Sequence, residues 1–189
     1  MRKSILFIMF VACVATVVGC SAERRWGERE RRELRNELRA YRDMAYLDNL
    51  AEVEFDTFTG DVVEAIEIDY PIYTTFVELP GRGDTVEVYV VSTIVEELRA
   101  NPHNMRNIYP YPYLVDEGIL PANLNHQAQR AFYECLSYKV KQYYPSTLAF
   151  FEDIINSPTT PTPIVDMQMA CASELFDWSI EIDETIVAD

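Results

Sequence analysis

Six glycines in 189 residues leave little material for loops that wrap backbone around a phosphate. No dinucleotide fingerprint, no Walker-type run and no G-x-S-x-G elbow is present, so the sequence offers no basis for nucleotide or α/β-hydrolase chemistry. Histidine is scarcer still, at two residues. Neither His103 nor His126 stands in an HExxH or near a second ligand at metal-binding spacing. An EF-hand type calcium loop is also missing. No catalytic, cofactor-binding or metal-ligating residue is assigned from the sequence.

Positive charge is short over most of the chain. Residues 47–189 hold six Lys or Arg against 25 acids, whereas residues 23–46 hold eight Arg against six acids. An acidic body repels phosphate backbones, which need clustered cations, so nucleic acid is discounted as a partner. With 49% apolar residues and 12% aromatics, the chain has enough material for a substantial core.

Long apolar runs are also wanting, with one exception. Met1-Arg2-Lys3 precedes a stretch from Ile5 to Val18 that is apolar apart from Thr16 and runs for 14 residues. A spanning helix needs about 20, so the stretch reads as a secretory signal. It ends in Val17-Val18-Gly19-Cys20. This tetrapeptide resembles the lipobox of bacterial lipoproteins, and the resemblance covers the first 20 residues only. It implies cleavage after Gly19 and attachment of diacylglycerol to Cys20, usually with acylation of the new amino terminus. Several acyl chains, at about 0.8 kcal/mol per buried methylene, give stable anchoring. The expected partner is therefore a membrane, held through Cys20. In the enterobacterial pattern an aspartate after the cysteine favours the inner membrane; Ser21 leans toward the outer one, with the body periplasmic or surface-facing.

The domain reading is a signal over 1–19, an anchor and short linker over 20–27, a charged helix over 28–46 and a single body over 47–189. Leu34, Leu38, Tyr41 and Ala45 make one narrow stripe on the helix. That seam packs on its own domain, or the helix is a stalk, or it lies near anionic head groups with Arg24, Arg25 and Trp26 closest to the lipid.

Beyond it the spacing changes to two. Val53 and Phe55, then Ile66, Ile68 and Tyr70, alternate with acids and predict strands. Residues 74–79 and 85–91 flank Pro80-Gly81-Arg82-Gly83-Asp84 and predict a β-hairpin. Thr93 and Glu96 resemble a capping box, which predicts a short helix over 94–100. Tyr109-Pro110-Tyr111-Pro112-Tyr113 is expected to be extended, because proline fixes φ and lacks a donor. Tyr109, Tyr111 and Tyr113 form either a platform for sugar rings or a partner, or a loop with buried rings.

Asn125 is placed to cap a helix reaching Tyr143, and Pro145 sits in the first turn of the next. Residues 165–175 fit both periods. Phe176, Trp178, Ile180 and Ile182 alternate with polar residues and predict a final strand. The expected fold class is α+β: a charged N-terminal helix, a mostly antiparallel sheet with a β-hairpin, and helices on one face.

Two cysteines remain once Cys13 leaves with the signal and Cys20 carries lipid. Export delivers Cys135 and Cys171 to an oxidising compartment, where a disulfide between them is expected. The other reading is two separate buried thiols. Cys135 or Cys171 with His126 is the sharpest nucleophilic combination, yet an apolar helical face suits packing or a disulfide better. Function is narrowed to two classes. The first is a non-enzymatic envelope module that binds a protein or glycan or accompanies an assembly. The alternative is an envelope or glycan-directed hydrolase using carboxylates as acid and base.

Overall fold

The computed structural model describes residues 23–179. The expected signal over 1–19 and the expected lipid site Cys20 lie outside the described residues, as does the end of the expected C-terminal strand.

The body is helical, and the expectation of an α+β fold is overturned. Among the described residues, eight α-helices follow in order: α1 (Glu28–Leu38), α2 (Glu52–Asp69), α3 (Tyr73–Val77), α4 (Arg82–Ala100), α5 (Tyr111–Asp116), α6 (His126–Tyr143), α7 (Thr147–Asn156) and α8 (Thr162–Phe176). Short 3₁₀ segments occupy Arg39–Tyr41 and Pro102–Asn107. Among the described residues there is no sheet. A lone antiparallel bridge joins Arg25 and Ile72.

Helix α1 is shorter than expected. Its first turn carries Glu28 and Glu30 and its last Arg35, a distribution that complements the helix dipole. Leu34 and Leu38 are buried in the core, so the seam packs on its own domain and the helix is no stalk.

The predicted strands over 53–70 are one helix, α2. Its buried residues Phe55, Phe58, Thr59, Val62, Val63 and Ile66 recur at helical spacing. Val53 and Ile68, which share the two-residue alternation with Phe55 and Ile66, are 78% and 71% exposed. The Ala51 amide donates to the Glu54 carboxylate at 3.0 Å and tightens the first turn.

The predicted hairpin is two helices. Residues 73–77 make one turn and a half, and Gly81 (φ 71°) takes a left-handed conformation to start α4, so Gly83 lies inside its first turn. Val86, Val90, Ile94 and Leu98, four apart, all face the core. Thr93 caps nothing: it sits mid-helix, its hydroxyl donating to the Tyr89 carbonyl at 2.9 Å.

Residues 111–116 are helical rather than extended, because proline is tolerated where Pro112 stands, in the first turn. The Asn125 side chain caps α6, accepting from the Ala128 amide at 2.9 Å. Ser146 caps α7 in the same way, which puts Pro145 just outside the helix instead of in its first turn. Residues 165–175 belong to α8. Phe176 ends that helix, and Trp178, expected in a strand, donates its indole N–H to the Gly118 carbonyl at 3.0 Å.

Helices α6 and α8 are joined covalently. Cys135 and Cys171 form a disulfide with an S–S distance of 2.02 Å and Cα atoms 5.9 Å apart.

Candidate functional site

The proline-threonine connection between α7 and α8 passes close to the start of α5, and a cleft of about 390 Å³ opens between them. Tyr109, Tyr113, Ile154, Pro158 and Pro161 supply apolar walls, and Asn49, Ser157, Thr159 and Thr160 supply polar atoms. No charged side chain lines this cleft, although the body around it carries a large excess of acids.

The three tyrosines read from the sequence have separate fates, so they do not form one exposed platform. Tyr109 is 3% exposed; its carbonyl accepts from the Tyr133 hydroxyl at 2.9 Å. The Tyr109 hydroxyl is buried and has no hydrogen-bond partner among the described residues. Burial, with the Tyr144 hydroxyl nearby, pushes its pKa well above the usual tyrosine value. Tyr111 is a pin: its hydroxyl donates to the Pro121 carbonyl at 2.7 Å and accepts from the Leu124 amide at 3.0 Å. Tyr113 alone presents its ring, at 38% exposed, with its hydroxyl 3.2 Å from that of Thr160. Two of the three thus meet in the cleft.

A second cleft, of about 290 Å³, is lined by Asn104, Arg106 and Asn107 of the second 3₁₀ segment with Glu54 and Glu97. Here Glu97 of α4 meets Tyr46, a fully buried residue with φ 138°, outside the usual range for a side-chain-bearing residue. Tyr46 donates its hydroxyl to the Glu97 carboxylate. Desolvation outweighs that hydrogen bond and holds the Glu97 carboxyl above the ordinary range, with Asp61 and Glu54 adding repulsion. Glu54 lines the same cleft and is paired with Arg106 at 2.6 Å.

The two histidines flank a third, polar cleft of about 360 Å³ with Arg106 and Arg130. His103 is less exposed than a loop residue should be, its side chain at 16%. Burial and the Arg130 guanidinium lower its pKa, and its Nε2 accepts from Arg130 Nε at 2.6 Å.

A groove of about 920 Å³ runs between α1 and α2. Arg31 grips Glu67 there through two 2.8 Å hydrogen bonds, and Arg35 lies across Gly60, 3.4 Å from where a Cβ would stand.

Among the described residues, no group of three or more His, Cys, Asp or Glu side chains is placed to hold a metal ion. Both sulfurs are consumed in the Cys135–Cys171 bond, which removes a thiolate partner for His126. The Tyr46–Glu97 pair had no sequence signal, since its members stand 51 residues apart. No family description, curated protein or solved structure matches this chain.

Proposed function

We propose that this chain is a lipid-anchored protein of the bacterial cell envelope whose helical body binds an uncharged ligand in the cleft at Tyr109 and Tyr113. The single observation that carries the binding reading is a charge-free, tyrosine- and proline-walled cleft in a strongly acidic body. A neutral sugar chain suits such walls: its ring faces pack on Tyr113, and its hydroxyls reach Asn49, Thr159 and Thr160. The anchor reading rests on Val17-Val18-Gly19-Cys20 behind a charged start and a short apolar run. The Cys135–Cys171 bond fits the oxidising compartment to which that signal leads.

Two experiments test these statements. Cys20→Ser abolishes lipid labelling, and the wild-type N-terminal peptide carries lipid mass; a wild-type peptide without it refutes the anchor. Titration with neutral oligosaccharides gives saturable binding that Tyr113→Ala weakens about tenfold, the equivalent of one lost aromatic contact of about 1.4 kcal/mol. Equal binding by wild type and variant, or binding only of uncapped peptides, refutes the glycan cleft.

A hydrolase is the second reading, favoured by one observation: the partly buried Glu97 carboxyl is held above the ordinary range in a cleft that also contains Glu54. A group so poised serves as a general acid. If it does, Glu97→Gln abolishes release of soluble sugar from envelope polymers; no release by the wild type removes this reading.

A further inference from the structure

The first described residues are not a linker. The Arg24 amide donates to the Thr74 hydroxyl at 3.4 Å and the Arg24 carbonyl accepts from the Thr74 amide at 3.3 Å. Arg25 then bridges to Ile72. Trp26, 9% exposed, donates its indole N–H to the Tyr70 carbonyl at 2.7 Å and packs edge-on against Tyr73 with ring centroids 4.9 Å apart. From Arg24 onward the chain belongs to the body.

Cys20 precedes Arg24 by four residues. Fully extended, four residues span at most about 14 Å. The polar head-group layer on one side of a bilayer takes up about 6 Å of that reach. A lipid on Cys20 therefore keeps Arg24 within about 8 Å of the head-group surface, too close for a stalk.

The face beside this attachment is suited to that contact. Arg25, Arg32 and Arg35 are exposed and form no ion pair with any described carboxylate. Of the acids nearby, Glu28 and Glu67 are engaged by Arg31, Glu30 by Arg24 and Asp56 by Arg39, while Asp61 and Glu64, at the α2 edge of the same groove, form no ion pair among the described residues and limit the basic face to its α1 edge. Ile68 and the exposed Pro71 line the same groove as Arg35, next to the Arg25–Ile72 bridge. Elsewhere the body is strongly acidic and repelled by anionic lipid.

We infer that the body lies flush on an anionic bilayer through the face formed by Arg25, Arg32, Arg35, Ile68 and Pro71, with no stalk between anchor and domain. This rests on lipidation of Cys20. The contact fixes which way the molecule faces: the α1–α2 side meets the lipid, and the rest of the body points away. Each arginine at such a surface changes the docking equilibrium about fivefold, and salt weakens the attachment of this face without releasing the anchor.

The test uses the lipidated mature chain in vesicles of phosphatidylcholine and phosphatidylglycerol, labelled with a fluorophore at Ile68→Cys or, as the distant reference, at Tyr138→Cys. Both positions are exposed, and Tyr138 lies on the disulfide-bonded helix pair. Quenching by lipids spin-labelled near the head group should be several-fold stronger at position 68 than at 138. The combined substitution Arg25→Glu, Arg32→Glu and Arg35→Glu, or a fifteen-residue Gly-Ser insertion between Ala22 and Glu23 that leaves the body untouched, should remove the difference. Lipid mass on the N-terminal peptide is measured on each sample. Equal quenching at both positions with lipid mass present overturns the docked orientation and leaves the anchor standing; absent lipid mass overturns both.

Discussion

Replacing Cys135 and Cys171 by alanine opens the longest-range covalent restraint among the described residues, a loop of 36 residues that contains all of α7 and the proline-threonine connection. Closing a loop of that length in the unfolded chain removes about 13 cal/mol/K of entropy, or about 4 kcal/mol at 25 °C. Domains of this kind are stable by about 5–15 kcal/mol, so the loss is a quarter or more of the whole. The folded state changes little in the exchange. Cys171 is fully buried, and alanine keeps its Cβ in place while giving up one sulfur's contacts. Guanidinium unfolding of the oxidised wild type, the reduced wild type and the double alanine variant, each fitted to a two-state transition, measures the difference. The reduced protein and the variant should agree with each other and fall about 4 kcal/mol below the oxidised protein. A variant within about 1 kcal/mol of the oxidised protein refutes the reasoning, since the cross-link would then not restrain the unfolded chain as loop length requires.

Four further substitutions probe buried or partly buried polar groups. Tyr109→Phe removes a buried hydroxyl that has no partner, so thermal unfolding should show a change between zero and a gain of about 1 kcal/mol, while Tyr133→Phe, which deletes the donor to the Tyr109 carbonyl, should cost about 1 kcal/mol. Gln168 is fully buried in α8 with neither amide atom bonded, and Gln168→Met should stabilise by about 1–2 kcal/mol in chemical denaturation. Glu97 has a folded-state pKa above its unfolded value, so the native state binds the extra proton and the wild type loses stability as pH rises through that window. Glu97→Gln should therefore gain on the wild type between acid and neutral pH in paired unfolding curves, and a gap that stays constant with pH refutes the assignment.

Helix starts were legible where a side chain supplies the cap. Asn125 marks α6 because its carbonyl oxygen satisfies an amide that the helix itself leaves free. Strand and helix were confused wherever β-branched residues ran together. In Val86, Val88 and Val90 the spacing of two is real, but Val88 is 62% exposed, and only the longer series from Val86 through Leu98 reveals spacing of four. Packing on the core decided that segment over local β preference. The Tyr-Pro run misled in another way: proline excludes a helix interior but not a first turn, and Pro112 occupies one. The candidate cleft was half legible. Tyr109 and Tyr113 stand out in the sequence, but their partners Ile154 and Pro158–Pro161 come from a distant connection, and no local pattern announces that meeting.

Residues Ser157–Pro161, the connection that walls the cleft and exposes Pro158 and Thr159, lie inside the ring closed by Cys135 and Cys171. A protease that nicks this connection therefore releases no fragment: α8 stays tied to α6 through sulfur, and the molecule migrates as one chain until it is reduced. A cut in the connection that walls the cleft is thus a cut that separates nothing while the disulfide holds.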